Sequence, residues 1–445
     1  MNPNSDSILI FTPVITNRTK YIFQLFFAEL LGVDFQLSNN AEVAASFHGA
    51  VLNYSNQNIE NSLQISPAGL LEEKGINSHK ISFIDYTDHK VPFAVYSKAS
   101  AFPFDPFSAA FYLVTRYEEY LPYIRDEHGR FSSSSSLAYQ KGFIGIPVIN
   151  RWAKDLAVRM KGVFPGIAFR FPEYKFLPTI DIDAAWAYKN KGMIRTIGGF
   201  FKALAAKDFH DIKSRFNTII GIEKDPFDTF ALMKELHDRY DLRPVFFILF
   251  AEYGFNDKNI PTNNKRFQEL IKTIADYAGV GIHPSYASNS KPNLLASEIT
   301  ALSNVLHKEI TCSRQHFLKL SLPETYRRLI DNDIKDDFTM GFAATPGFRA
   351  GICTSFLWYD LESEVVTKLR IHPFAVMDGT LLDYMKLDFK SAAEFIKPLI
   401  DEVKNVGGTF ISLWHNESLS DDKRWKGWVK VYEEMLEYAV YKQLM

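Results

Sequence analysis

PTIDID, residues 178–183, runs through β-branched residues and closes on Asp181 and Asp183. An apolar run that ends in carboxylates has the form of a buried strand delivering charge at its C-terminal end. Six more runs of this kind follow: PVFFILF (244–250), GVGIHPSY (279–286), CSRQHFLKL (312–320), DDFTMGFA (336–343), LRIHPFAVMD (369–378) and TFISLWHN (409–416). Helical stretches such as FDTFALMKELHDRY (227–240) and SAAEFIKPLIDEVKNVG (391–407) separate most of them. Near-continuous apolar strands alternating with helices predict a parallel sheet buried on both faces. Seven such units over residues 175–445 predict an incomplete (β/α)7 barrel, within the α/β class, in preference to an open sheet.

Residues 1–174 have a different rhythm and predict a smaller mixed α/β domain. SILIFTPV (7–14) reads as a strand and TKYIFQLFFAELLG (19–32) as an amphipathic helix. AAFYLVTRYEEYL (109–121) reads as a second helix, with FDP before it as a capping signal. On that helix Arg116, Glu118 and Glu119 are expected to form a solvated face or a domain contact. The run Ser132–Ser136 is expected as an exposed loop. Two prolines bracket FPEYKFLP (171–178), which marks the boundary.

The formal net charge of −2 gives no electrostatic reason to expect nucleic acid or an anionic membrane as partner. No run of eighteen apolar residues occurs, so no membrane span is expected. The first residues lack the basic region and cleavage site of a signal peptide. Cys312 and Cys353 are the only cysteines, too few for a disulfide framework, and a reducing, cytoplasmic location is the expectation. The 38 phenylalanines are expected mainly in the core.

The polar residues of the apolar runs gather near strand C-termini, where (β/α) barrels build their active sites. Asp181 and Asp183, two apart, point to the same side of a strand. Two carboxylates so placed repel unless a cation or proton intervenes, so one can ligate a metal while the other serves as base. The plainer alternative is a pair capping the next helix. His283 and His316 offer nitrogen ligands, and with Asp183 they supply the three protein ligands of a catalytic zinc with a position left for water. A hydrogen-bonded core role is the alternative for either histidine alone. Arg314 shares a strand face with His316 and is expected at the substrate. It is a poor neighbour for a cation unless a carboxylate such as Asp181 or Asp378 lies between. His372, six residues before Asp378, would lie roughly 20 Å from the rim in one strand and is expected to be structural.

With these residues in hand, the C-terminal part resembles the polysaccharide deacetylases, carbohydrate esterase family 4. TIDID (179–183) is similar to the first family motif, which implies Asp181 as base and Asp183 as metal ligand. HPSYAS (283–288) matches only the first histidine of H-[ST]-x-x-H, because the fifth position is Ala287; His316 of RQHFL (314–318) is the expected replacement. GFRAG (347–351) resembles the arginine motif, implying that Arg349 orients the base. Leu413-Trp414-His415 resembles the final L-x-H motif, implying His415 as general acid. Asp378 is the candidate for the remaining motif, and it and Trp414 are expected to contact substrate. The resemblance implies a metal-dependent hydrolase that removes N- or O-acetyl groups from an acetylated carbohydrate. Zinc suits the ligand set, as would cobalt, nickel or iron. The first part of the chain resembles the uncharacterised domain joined to such barrels in some bacterial proteins and implies no role. Two alternatives stand beside this reading. One is a metal-free glycoside hydrolase with Asp378 or Glu417 as second carboxylate. The other is a non-catalytic carbohydrate-binding protein on a degenerate barrel.

Overall fold

The computed structural model describes residues 7–441. Of the opening stretch 1–27, in which no signal peptide is expected, residues 1–6 lie outside the described residues.

The N-terminal part carries a four-stranded parallel sheet of order β2-β1-β3-β4, with β1 Ile8–Phe11, β2 Phe35–Ser38, β3 Ala50–Asn53 and β4 Leu63–Gln64. A separate antiparallel hairpin joins β5, Phe83–Tyr86, to β6, His89–Pro92. The expected helix at 19–32 is Asn17–Phe23 continued by a π-helical segment, Gln24–Leu30. Its Phe23, Phe26 and Phe27 pack on Phe107, with ring centroids 5.0–6.3 Å apart, so the phenylalanines do fill core. The helix expected at 109–121 is Pro106–Val114. Asp105 caps it by accepting from the amides of Phe107 and Ser108, as the FDP signal implies. It ends before Arg116, which turns left-handed, at φ 56°, and bonds Glu118 and Glu119 just after it.

The C-terminal part is built on one nine-stranded sheet. Its strands are β7 Lys175–Ile182, β8 Val245–Ile248, β9 Gly279–Ile282, β10 Cys312–Ser313, β11 Asp336–Asp337, β12 Phe356–Asp360, β13 Val365–Ile371, β14 Val376–Met377 and β15 Thr409–His415. The order is β12-β13-β11-β10-β9-β8-β7-β15-β14, parallel except for the β12–β13 hairpin. The sheet is therefore mixed, and its two outer strands do not pair with each other among the described residues. Two further departures have local causes. The run 369–378 is not one strand. Pro373, which has no amide proton to give a ladder, separates β13 beside β11 from β14 beside β15. The run 312–320 leaves the sheet after two residues for a tight turn, His316–Leu318, in which Phe317 is left-handed at φ 59°.

Register aligns the strand ends. Ile182, Ile248, Ile282 and Ser313 form one row across β7 to β10. The residues that follow, Asp183, Leu249, His283 and Arg314, thus emerge together at the C-terminal rim. On the other side of β7, Asp181 pairs with His415.

The two parts meet through buried charge. Nε and Nη2 of Arg349 donate to Glu119 at 2.9 and 2.6 Å. Arg116 donates to Glu119 and Glu118, each at 2.7 Å, and to the Arg349 carbonyl. Arg116 and Glu119 thus contact Arg349 of the C-terminal part, Glu118 bonds within the N-terminal part, and burial of all three rules out a solvated face. The serine run joins this network: Ser136 Oγ donates to Glu118 and Ser133 bonds Thr345, which buries both where an exposed loop was expected.

Candidate metal centre and active site

Asp183, His283 and His316 converge, with ligand atoms all within 4.8 Å of one another. Nε2 of His283 lies 3.3 Å from Asp183 Oδ1, and Nε2 of His316 lies 3.5 Å from Asp183 Oδ2. Ligand atoms around a tetrahedral ion at about 2.1 Å are about 3.4 Å apart, so the spacing fits a small divalent cation. Asp183 Oδ1 is buried without a hydrogen-bond partner, an orphan acceptor that a cation would satisfy.

Each imidazole is oriented through its other nitrogen. Nδ1 of His283 lies 2.6 Å from the Arg314 carbonyl, and Nδ1 of His316 lies 2.9 Å from Asp257 Oδ1. Such partners fix the tautomer that presents Nε2 to a metal. Asp257 is held in turn by the Tyr286 amide at 2.8 Å. The sequence reading missed Asp257, which sits in a loop after β8 outside every apolar run. Burial disfavours the charged form of His316, but Asp183 and Asp257 override it and push the imidazole up to about 9. Burial acts against Asp183 too, yet His316, His283 and His415 hold its carboxyl well below the usual range. These are the shifts of a site that holds protons where an ion would sit.

Asp181 stands beside this cluster, Oδ2 3.7 Å from Nε2 of His283. Its other oxygen accepts from Nη1 of Arg314 at 2.9 Å. The Arg314 guanidinium is wholly buried, donates through Nε to the Phe338 carbonyl, and lies over the Phe247 ring at 4.5 Å. Gly281 faces Phe247 across the ladder, and a Cβ there would stand 2.7 Å from that ring. Arg314 and Asp181 are thus the arginine–carboxylate pair of the site. Two expectations change accordingly. Arg314 is sealed from substrate by its burial, and Arg349 holds Glu119 rather than Asp181.

His415 approaches the cluster from β15, Nε2 4.0 Å from Asp183 Oδ2. Asp378 accepts from its Nδ1 and its backbone amide, both at 2.8 Å, and from the Gly379 amide. Burial works against protonation of His415, but Asp378, then Asp183 and Asp181, raise it well above the usual histidine value. Fully buried, Asp378 positions His415 through these bonds and does not line the cleft, where a substrate contact was expected of it. Trp414 is also displaced from its expected role. Strand alternation turns Leu413 and His415 to the cleft and Trp414 into the core, against Tyr432 at 4.8 Å and Trp428 at 6.0 Å. Trp425 is the tryptophan that lines the cleft. His372 sits outside it, bonded to Asp336 at 2.7 Å and stacked on Phe338 at 4.3 Å.

The cleft holds about 260 Å³ and has apolar walls from Phe317, Leu413 and Trp425, with polar groups from Gln315, Glu417 and Arg424. The N-terminal part contributes Arg130, whose Nη1 donates to the Phe317 carbonyl and Nη2 to the Tyr384 hydroxyl. Arg130 too escaped the sequence reading, lying in a turn with no periodic signal.

Residues 8–165 match a family described as of unknown function, DUF7033. No curated protein matches the chain. Among solved structures, the chain is similar to a Mycobacterium smegmatis protein provisionally described as a polysaccharide deacetylase. That similarity has 12% identity and a TM-score of 0.41, and covers 61% of this chain and 85% of the other. A polysaccharide deacetylase from Bacillus cereus shares 12% identity at a TM-score of 0.28, over 59% of this chain and 87% of its own. A pseudoenzyme of carbohydrate esterase family 4 from Bacillus anthracis shares 11% at 0.28, over 59% and 62%. Likenesses this distant carry no functional information for this chain.

Proposed function

We propose that the chain is a metal-dependent hydrolase that removes acetyl groups from a carbohydrate. The observation that carries this reading is the convergence of Asp183, His283 and His316, with Asp181 and His415 both within reach of the cluster. A structural metal site has no need of a flanking base and acid, whereas hydrolysis of an acyl bond needs both. The reading includes residues 175–445 as an incompletely closed barrel, residues 1–174 as a separate unit, and a cytoplasmic location supported by two free cysteines.

In this mechanism a cation held by Asp183, His283 and His316 would polarise the acyl carbonyl and acidify a water; zinc is favoured by the N/O donor set. Asp181 accepts the proton of that water, and Arg314 holds its carboxylate in place. His415, kept protonated by Asp378, donates to the departing amine or alcohol. Phe317 supplies an apolar face for a sugar ring, and Arg424 and Glu417 bond its hydroxyls.

Metal analysis combined with acetate release from a panel of acetylated sugars tests the proposal. The metal-loaded protein should release acetate, and the chelated protein should not. Glycosidic cleavage unaffected by chelation would instead support a glycoside hydrolase.

A further inference from the structure

Between β7 and β8 the chain makes two helices, Met193–Ala205 and Phe209–Ile219, that pack on each other but bury little against the rest of the protein. Ala203 is the one buried residue of the first and Thr218 of the second. Their apolar residues share one spacing. Ile194, Ile197, Phe201 and Leu204 follow a 3-4-3 pattern, and so do Phe209, Ile212, Phe216 and Ile219. Such a stripe normally turns to a core. Here it faces outward, with Ile194 88% exposed, Phe201 68% and Phe209 71%.

The charge around the stripe is unlike that of the whole chain. Residues 184–229 hold eight basic and five acidic side chains, net +3, in a chain of net −2. Lys202, Lys207 and Lys213 are exposed and make no ion pair among the described residues. Aromatic and aliphatic side chains bordered by free lysines suit the boundary of an anionic bilayer, whereas lysine is depleted from protein–protein interfaces. The overall charge concealed this local excess, and among the described residues no helix is long and apolar enough to cross a membrane.

The hairpin is also fastened to the rim of the cleft. Tyr188 and Lys423 bond Asp211 at 2.8 and 2.9 Å, and Arg424 and Trp425, which line the cleft, follow Lys423 directly. On the other side Arg195 donates to the Asn259 carbonyl at 2.8 Å, two residues from Asp257. Arg195 also lies 4.0 Å over the ring of Tyr253, in the loop where Phe255 stands 90% exposed. The outward apolar surface therefore continues from the hairpin onto the loop that orients His316.

We propose that the helical hairpin and the Tyr253–Phe255 loop dock the protein on an anionic membrane surface. Docking brings the mouth of the cleft to the bilayer. On the hydrolase reading above, which docking itself does not require, the substrate is an acetylated sugar displayed there on a lipid.

Sedimentation of the full chain with phosphatidylcholine vesicles, with and without phosphatidylglycerol, tests this. Binding is expected with the anionic vesicles and should fall about tenfold or more in high salt, as expected for lysines near a charged surface. Ile194→Asp with Phe201→Asp should abolish it. Lys202→Glu with Lys207→Glu and Lys213→Glu should weaken it while leaving melting temperature and metal content unchanged. Equal binding by all variants, or none by the parent, overturns the proposal. A concentration-dependent dimer broken by the Asp pair would also overturn it, by assigning the face to a second copy. Acetate release from soluble sugars is measured on the same samples, so loss of docking and loss of activity are read separately.

Discussion

Nη1 of Arg314 donates to Oδ1 of Asp181 at 2.9 Å, and this bond distinguishes the two arginines near the centre. Arg349 spends its guanidinium on Glu119 and the Gly341 carbonyl. Arg314→Gln should therefore lower kcat by about a hundredfold, in the range of a lost general base. Arg349→Gln should leave kcat of the folded protein largely unchanged, while either substitution removes one partner of a buried pair and should cost about 3–5 kcal/mol of stability. Denaturant melts and kcat measured on both variants check this; the opposite assignment would restore Arg349 as the orienting residue.

The strand-end chemistry was legible because it rests on local pattern. Asp181, Asp183, His283 and His415 are polar residues closing apolar runs, and parallel register brings such ends together. Arg314 was misassigned because its path runs back along the sheet, over Phe247, toward a strand distant in sequence. Trp414 was misassigned because the motif gave its position and not the side of the strand it takes. Asp257 and Arg130 lie in irregular loops, where no periodicity signals direction. The split of 369–378 was readable at Pro373, and the β12–β13 hairpin at the alternation in VVTKLRI.

Asp257 orients His316 without reaching the cluster itself. Asp257→Asn should weaken metal affinity by 10–100-fold, roughly what lost outer partners cost, and leave the ligand set intact. A competitive chelator titration measures this. An unchanged affinity would show that His316 is held by packing alone.

Metal binding should be coupled to protons. His316, raised to about 9 by Asp183 and Asp257, is protonated at neutral pH in the metal-free protein. A ligand imidazole must be neutral, so the ion displaces that proton. Affinity should rise as pH increases from 6 toward 9 and level off above, with about one proton released per ion at pH 7. Calorimetry in buffers of different ionisation enthalpy reads the proton count. No release at neutral pH would exclude His316 as the displaced group.

Asp378 lifts His415, so its removal should lower the pH at which the acid is lost. Asp378→Asn is expected to move the alkaline limb of kcat/KM to lower pH and reduce kcat, with metal content unchanged. A pH–rate profile in which only the amplitude changes would argue against His415 as the proton donor.

The most direct test of the account is a crystal structure of the zinc-loaded protein with anomalous scattering recorded at the zinc edge. One fully occupied ion should lie about 2.0–2.2 Å from an Asp183 oxygen and from Nε2 of both His283 and His316. Asp181 and His415 should flank the ion's open side. An ion bound elsewhere, or one more than about 4 Å from His316, would contradict it.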